Sequence, residues 1–155
     1  QRVAHADPPV LIDFAHTPDA VTQVLLSLRL HCQGRLICVL GCGGDRDPGK
    51  RPLMGVAAVQ HSDLCLFTSD NPRSESPASI IDEMCRDLAV PLDPADCLID
   101  RKAAIQRALT LQEPGDVVVI LGKGHEQYQE IQGVRYPFND EAVVAAELMQ
   151  RGRMS

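Results

Sequence analysis

The chain has 155 residues, of which 45% are hydrophobic, and it carries a formal net charge of −6. This length corresponds to one ordinary domain, which can bury a hydrophobic core without disulfides or a structural metal. The acidic balance disfavours binding to nucleic acid or to an anionic membrane, because both are polyanions. No apolar run reaches the roughly 18 residues of a membrane-spanning helix and the N-terminus lacks a signal-peptide core, so we expect a cytoplasmic protein.

Apolar segments alternate along the chain with segments of helical periodicity. Helix starts are indicated where Ser, Thr, Asp or Asn precedes a proline or an amphipathic stripe. Strands that alternate with helices are typical of a mostly parallel sheet with helices on both faces. We therefore predict one α/β domain with a three-layer, Rossmann-like sheet and a C-terminal hairpin that gives an antiparallel strand. In chain order, the predicted strands are 10–14, 36–40, 64–68, 97–99, 117–121, 128–131 and 134–138, and the predicted helices begin near Thr17, Pro52, Ser76, Asp100 and Asn139.

Three of the predicted strands end in loops that are rich in glycine, proline and charged residues. The carboxyl ends of parallel strands meet at one edge of a sheet, where ligands bind in open α/β proteins. Arginine at such an edge suits a carboxylate or a phosphate, because its planar fork makes two parallel hydrogen bonds. We therefore expect one ligand site along this edge, formed by Arg46, Asp70, Asn71, Arg73 and Glu126.

The loop after the second strand contains glycines at spacings close to two nucleotide-binding motifs. Residues 44–50 fit the G-x-x-x-x-G-K pattern of a P-loop, but Arg51 stands where the magnesium-binding Ser or Thr is needed. Pro48 also lacks the backbone N–H that such a loop donates to phosphate. The G-x-G-x-x-G pattern of dinucleotide sites fails because Arg46 occupies the third glycine position. Both motifs are therefore disfavoured. We place the start of the next helix at Pro52 and expect Leu53 to face the core.

A second polar cluster lies between the first strand and the first helix. Asp13 could accept a hydrogen bond from a ribose, and the helix N-terminus at Thr17 favours an anion. The alternative is that Asp19 only complements the helix dipole and that His16 is an exposed loop residue, since titratable side chains are common in loops. A metal site built from Asp13, His16, His125 and Glu126 would require these four side chains to converge.

Six cysteines are scattered along the chain without a C-x-x-C pair or histidines at zinc-finger spacing. This pattern favours reduced thiols over zinc ligands or disulfides. Cys38, Cys65 and Cys85 lie in apolar runs and are expected to pack as small hydrophobic residues. Cys42, between two glycines at the expected site, is the candidate for a reactive thiol.

Four motifs in this order resemble the C-terminal domain of the Mur ligases. They are DFAHTPDA at 13–20, GCGGDRD at 41–47 followed by GKRPLM at 49–54, DNPR at 70–73, and GKGHE at 122–126. The resemblance runs from about Val10 to the end of the chain and is nearest to the members that add meso-diaminopimelate. One departure is Phe14, where the family usually has tyrosine. The resemblance implies a single C-terminal domain at 1–155, without the family's UDP-sugar domain and central ATPase domain.

This resemblance also implies a reaction and a set of roles. The family uses ATP and Mg²⁺ to activate a carboxylate as an acyl phosphate, which the amine of an incoming amino acid then attacks. Here the activated carboxylate would belong to a UDP-N-acetylmuramoyl dipeptide, in peptidoglycan precursor synthesis. The domain would be monomeric, inactive alone and without a tightly bound cofactor. The motif Asp70, Asn71, Pro72 and Arg73 would select meso-diaminopimelate over lysine, and Arg46 would bind a carboxylate. Gly122 and Glu126 would bind the far amino-acid end of this ligand. Asp13 and His16 would contact the nucleotide.

Two other classes of function stay open at this point. One is a stand-alone nucleotide-binding α/β module, which would bind ATP without any amino acid. The other is a hydrolase or metal enzyme that uses His125 and Glu126.

Overall fold

The computed structural model of the chain describes residues 1–152. The strands are β1 (Val10–Asp13), β2 (Leu36–Cys42), β3 (Leu64–Ser69), β4 (Cys97–Leu98), β5 (Val117–Leu121), β6 (Tyr128–Ile131) and β7 (Val134–Pro137). The helices are α1 (Pro18–Arg29), α2 (Lys50–Gln60), α3 (Pro77–Cys85), α4 (Arg101–Leu111) and α5 (Asp140–Gln150), with a short 3-10 helix at Pro94–Asp96. None of the described helices is long and apolar enough to cross a membrane.

The first five strands form one sheet in the order β1-β5-β2-β3-β4, and all pairings between them are parallel. Strands β2 and β5 lie side by side in the middle and are buried along their whole length. Continuous apolar runs are what a parallel strand needs, because helices cover both of its faces. One core cluster lies between the sheet and α1, α2 and α3, and a second lies between the sheet and α4 and α5. The predicted three-layer α/β fold is confirmed.

Four of the predicted helix starts are confirmed by side-chain caps. Thr17, Ser76, Asp100 and Asn139 each accept a hydrogen bond from a backbone N–H in the first turn of the following helix. The exception is α2, which begins at Lys50 instead of Pro52 and has no side-chain cap. Leu53 is 57% exposed, because the face of α2 that packs on the core carries Met54, Ala57 and Ala58, so the expectation for Leu53 is wrong.

The predicted C-terminal hairpin is confirmed, and it stands apart from the main sheet. Strands β6 and β7 pair antiparallel with each other and form a separate two-stranded sheet. The hairpin meets the rest of the fold through an isolated bridge between Ile131 and Arg73 and through hydrogen bonds to the loop after β3. It therefore lies beside the loop that follows β3, at the carboxyl edge of the main sheet.

A buried ion pair lies beneath the same edge. Arg101, the first residue of α4, donates to both carboxylate oxygens of Asp140, the first residue of α5, at 2.8 and 2.7 Å. Its other hydrogen bonds reach the carbonyl oxygens of Ser69 and Leu121, at the ends of β3 and β5. Burial lowers the pKa of Arg101, but the charge of Asp140 and the hydrogen bonds that Arg101 donates to it outweigh this effect and keep the guanidinium charged. This pair therefore joins two helix starts to two strand ends.

Candidate functional site

A cleft of about 460 Å³ opens at the carboxyl ends of β2, β3 and β5. This is the edge at which the sequence placed a ligand site. Most of the predicted residues are brought together here, whereas Asp13 and Pro72 do not line the cleft. The charged and polar lining residues are His16, Arg46, Asp47, Lys50, Arg51, Asp70, Asn71, Arg73 and Glu126, with Gly122 between them.

Hydrogen bonds join the loops after β2 and β3 to each other on one side of the cleft. The backbone N–H of Gly44 donates to the carbonyl of Asn71 at 2.7 Å, and Arg73 Nη1 donates to the carbonyl of Gly44 at 2.8 Å. A Cβ atom at Gly44 would lie 1.8 Å from the carbonyl oxygen of Pro72, so only glycine fits. Pro72 thus contributes a backbone contact that brings the two loops together, and it is not a lining side chain.

Arg73 combines this bracing with a place in the cleft. Its backbone has a φ of 53°, in the left-handed region that non-glycine residues seldom adopt. Besides the bond to Gly44, its Nε lies 3.7 Å from Glu130 of the hairpin, and the side chain is 19% exposed. Within residues 1–152, Nη2 has no hydrogen-bond partner and is left for a ligand.

The other cations of the cleft come from the loop after β2 and the start of α2. Arg46 is exposed, and its Nη1 bonds only the carbonyl of the adjacent Asp45, so most of its donors are free. Lys50 is likewise exposed at the first position of α2. Arg51 is different, because it is buried and donates to Glu75 at 2.6 Å and to Glu83 at 2.7 Å. The hydrogen bonds that Arg51 donates to Glu75 raise the pKa of Arg51, which is a fixed cation at the side of the cleft.

The opposite end of the cleft is acidic and is built around a lysine that the sequence reasoning did not select. Lys123 is fully buried, and its Nζ donates to Asn71 Oδ1 at 2.7 Å, Asp70 Oδ1 at 3.1 Å and Glu126 Oε1 at 3.3 Å. Asp70, Asn71 and Glu126 line the cleft, whereas Lys123 lies behind them. Its position between two glycines was the available signal, since such a loop can turn a side chain inward.

Asp13 and His16 make different contacts, and only His16 lines the cleft. Asp13 Oδ1 accepts from the backbone N–H of Ala15 at 2.8 Å, and this local turn gives the oxygen a partner without a ligand. His16 lines the cleft, and its ring lies 4.8 Å from the ring of Phe14 in an edge-on arrangement. Phe14 is 53% exposed. Both side chains are exposed beside the charged groups.

The glycine loop does not have the geometry of a phosphate cradle. Most of its backbone donors are engaged within the fold: Gly44 with Asn71, Asp45 with Glu75, and Gly49 with Asp47. Among residues 1–152, no group of three or more His, Cys, Asp or Glu side chains could hold a metal ion. His125 does not line the cleft with Glu126, which removes the geometric basis for the metal-enzyme alternative.

Cys42 is a buried residue at the end of β2 and not an accessible loop thiol. Only 4% of it is exposed, and its Sγ lies 3.7 Å from the sulfur of Met54. Burial raises the pKa of the Cys42 thiol to about 12. Since the thiolate is the reactive form, this burial makes Cys42 a poor candidate for a reactive thiol.

Known proteins with similar sequences and structures agree with this architecture. The family model described as Mur ligase, glutamate ligase domain, matches residues 1–124. The UDP-N-acetylmuramoyl-L-alanyl-D-glutamate--2,6-diaminopimelate ligase of Xanthomonas oryzae pv. oryzae is 50% identical over 148 residues, which is 96% of this chain and 30% of the relative. The protein of the same name from Aquifex aeolicus is 52% identical over 144 residues, covering 92% of this chain and 30% of the relative.

A solved structure of a ligase with the same name superposes with a TM-score of 0.84 at 43% identity, covering 93% of this chain and 30% of that one. The chain therefore spans about 30% of the length of the curated relatives that it matches. The matching family model covers well over half of the chain. The chain belongs to the family of Mur ligase glutamate ligase domains.

Proposed function

We propose that this chain is the C-terminal, amino-acid-binding domain of an ATP-dependent ligase that adds meso-diaminopimelate to UDP-N-acetylmuramoyl-L-alanyl-D-glutamate. This activity belongs to the synthesis of peptidoglycan precursors in the bacterial cytoplasm, and hence to cell shape and division. The supporting observation is the distribution of charge in the cleft, with free arginine donors at one end and two carboxylates at the other. The names of the relatives supply the identity of the ligand.

The charge distribution matches a ligand that is an amino acid at both ends. meso-Diaminopimelate carries two carboxylates and two ammonium groups. Arg46 and Arg73 would bind the carboxylate that lysine lacks, and Glu126 beside Gly122 would bind an ammonium group. Losing a hydrogen bond to a charged group costs about 1.5 to 3 kcal/mol, which is enough to discriminate against lysine.

The roles of Asp70 and Pro72 in this proposal are narrower than the motif alone implied. Asp70 shares one oxygen with Lys123, so its other oxygen is the one left to a ligand. Pro72 shapes the loop through its carbonyl contact with Gly44 and touches no ligand. Asn71 donates to Glu126 and therefore acts on the ammonium end.

ATP and Mg²⁺ would bind in the part of the enzyme outside this chain, because the glycine loop does not fit a triphosphate. When bound there, ATP supplies the phosphoryl group that activates a carboxylate. Asp13 and His16 would meet the nucleotide when this domain closes over the ATPase domain, with His16 and Phe14 offering the accessible surface. By itself the chain would be a monomer without ligase activity, since the triphosphate cradle and the acceptor site are elsewhere.

The test is the variant Arg73→Ala in the complete ligase that contains this domain. We expect kcat/KM for meso-diaminopimelate to fall by an amount equivalent to about 2 to 4 kcal/mol, with the weak use of lysine nearly unchanged. Arg73→Lys should recover only part of the loss, because a point charge does not reproduce a two-pronged contact.

A matched control is Arg29→Ala, which removes an arginine from an exposed ion pair with Asp63 at the other end of the sheet. This control should leave the kinetics with both amino acids unchanged. Equal losses for lysine and meso-diaminopimelate in Arg73→Ala, together with a lowered melting temperature, would mean that Arg73 only braces the loop.

A further inference from the structure

Lys123 carries a buried charge at the edge of the cleft, and its contacts give it a definable task. A lysine is almost never fully buried unless it is paired. Here the ammonium has three hydrogens and three acceptors, one each on Asp70, Asn71 and Glu126. The group is therefore satisfied, and it joins the loop after β3 to the loop after β5.

These contacts determine which way the Asn71 amide points. Its Oδ1 accepts from Lys123 Nζ at 2.7 Å and from the backbone N–H of Glu130 at 3.0 Å. The reversed amide would set its NH₂ group against two donors. With the oxygen held in this way, Nδ2 faces Glu126 Oε1 at 3.3 Å. Lys123 thus acts on Glu126 both directly and through Asn71.

The remaining acceptors of this subsite are one oxygen from each carboxylate. Lys123 and Asn71 take Asp70 Oδ1 and Glu126 Oε1, and in the part of the chain at 1–152 no donor bonds Asp70 Oδ2 or Glu126 Oε2. Two carboxylates and one ammonium leave a net charge of −1. The Arg101–Asp140 pair behind them is neutral as a pair. A single ammonium group complements that charge.

We propose that Lys123 is a positioning residue: it aligns Asn71 and Glu126 and leaves a subsite of net charge −1, which takes one ammonium of the ligand. The identity of that ligand rests on the proposed function. The alignment of Asn71 does not, because it is a property of the free protein.

The first part of the test therefore needs no ligand. In the ¹⁵N-labelled chain, the side-chain amide resonances of Asn71 are compared between wild type, Lys123→Met and Lys102→Met. Lys102 is exposed on α4, so its variant removes the same charge away from the cleft. We expect the Asn71 side-chain signals to move in Lys123→Met and to stay in place in Lys102→Met. Unchanged Asn71 signals in Lys123→Met would overturn the proposal.

The second part compares two ligands by titration to about 10 mM, a range that covers millimolar binding. 2-Aminopimelate keeps both carboxylates of diaminopimelate but has one ammonium instead of two. Wild type should bind meso-diaminopimelate about tenfold more tightly, the usual effect of one charged hydrogen bond. In Lys123→Met this preference should shrink to about twofold, whereas a role limited to stability would weaken both ligands equally and would contradict the proposal.

A second variant separates positioning from charge balance. Asp70→Asn combined with Lys123→Met returns the subsite to a net charge of −1 without the lysine contacts. We expect this double variant to recover the wild-type melting temperature but not the Asn71 signals or the preference for two ammonium groups. Recovery of that preference would show that Lys123 only balances charge. If neither ligand binds wild type, the proposed function is contradicted, while the Asn71 signals still decide the role of Lys123.

Discussion

Gly44→Ala is the substitution that most directly tests how the cleft is held in shape. The new Cβ would lie 1.8 Å from the carbonyl oxygen of Pro72, a backbone atom that cannot rotate away. The two loops would have to separate. The separation would break the bond from Gly44 N to Asn71 O at 2.7 Å and the bond from Arg73 to Gly44 O at 2.8 Å.

The magnitude follows from these contacts. A neutral hydrogen bond contributes about 1 kcal/mol and one from a charged group about 1.5 to 3 kcal/mol. Partial loss of both bonds, together with the overpacking, gives a destabilisation of about 3 kcal/mol. In a domain of this size that corresponds to a fall in melting temperature of about 6 to 12 °C.

The assay is urea and thermal unfolding followed by far-ultraviolet circular dichroism. The control is Gly49→Ala in the same loop, where a Cβ would lie 3.2 Å from the side-chain oxygen of Asp47, which can move. We expect that control to change the unfolding free energy by less than about 1 kcal/mol. Equal unfolding midpoints for Gly44→Ala and Gly49→Ala would refute this account of how the joined loops shape the cleft.

Three further outcomes follow from buried polar groups. Asp140→Asn should lower the urea unfolding free energy by about 3 to 5 kcal/mol, because it leaves the fully buried Arg101 uncompensated. Burial raises the pKa of Asp116, but hydrogen bonds from Arg35 and from backbone N–H groups outweigh this effect, so the pKa is lowered overall. Its stabilisation is therefore complete above the ordinary aspartate pKa of about 3.9 and is lost as pH falls through the lower folded value, so the destabilisation caused by Asp116→Asn should shrink on acidification. Native Cys42 should resist iodoacetamide at pH values well below its pKa of about 12 and react only after unfolding; labelling at the rate of an unfolded thiol would contradict its burial.

Local signals in the sequence were sufficient for the helix starts and the buried strands. A cap such as Thr17 or Asn139 needs only its own side chain and the next few backbone N–H groups. A strand with a fully apolar sequence, such as 117–121, is stable only where other elements cover both of its faces. This run therefore predicted a strand inside the sheet. For the same reason, the charged strand ends predicted the edge at which the cleft opens.

Contacts between distant residues decided the rest. Helix α2 starts at Lys50 without a capping side chain that would mark this position in the sequence, and its residue Leu53 is exposed. The residue pattern of the hairpin is equally compatible with an extension of the main sheet. Its contacts with the loop after β3 hold it as a separate two-stranded sheet.

The sequence by itself determined an α/β domain with charged loops at one edge of the sheet, because alternating periodicity, caps and apolar runs act over a few residues. The tertiary structure alone decided which of those charges face the cleft. Arg51 and Lys123 look like surface cations in the sequence, yet both are buried, because Glu75 and Glu83 reach Arg51 and Asp70 reaches Lys123 from other segments. A buried charge is stable only with such partners, and partners up to 53 positions apart meet only when the fold is complete.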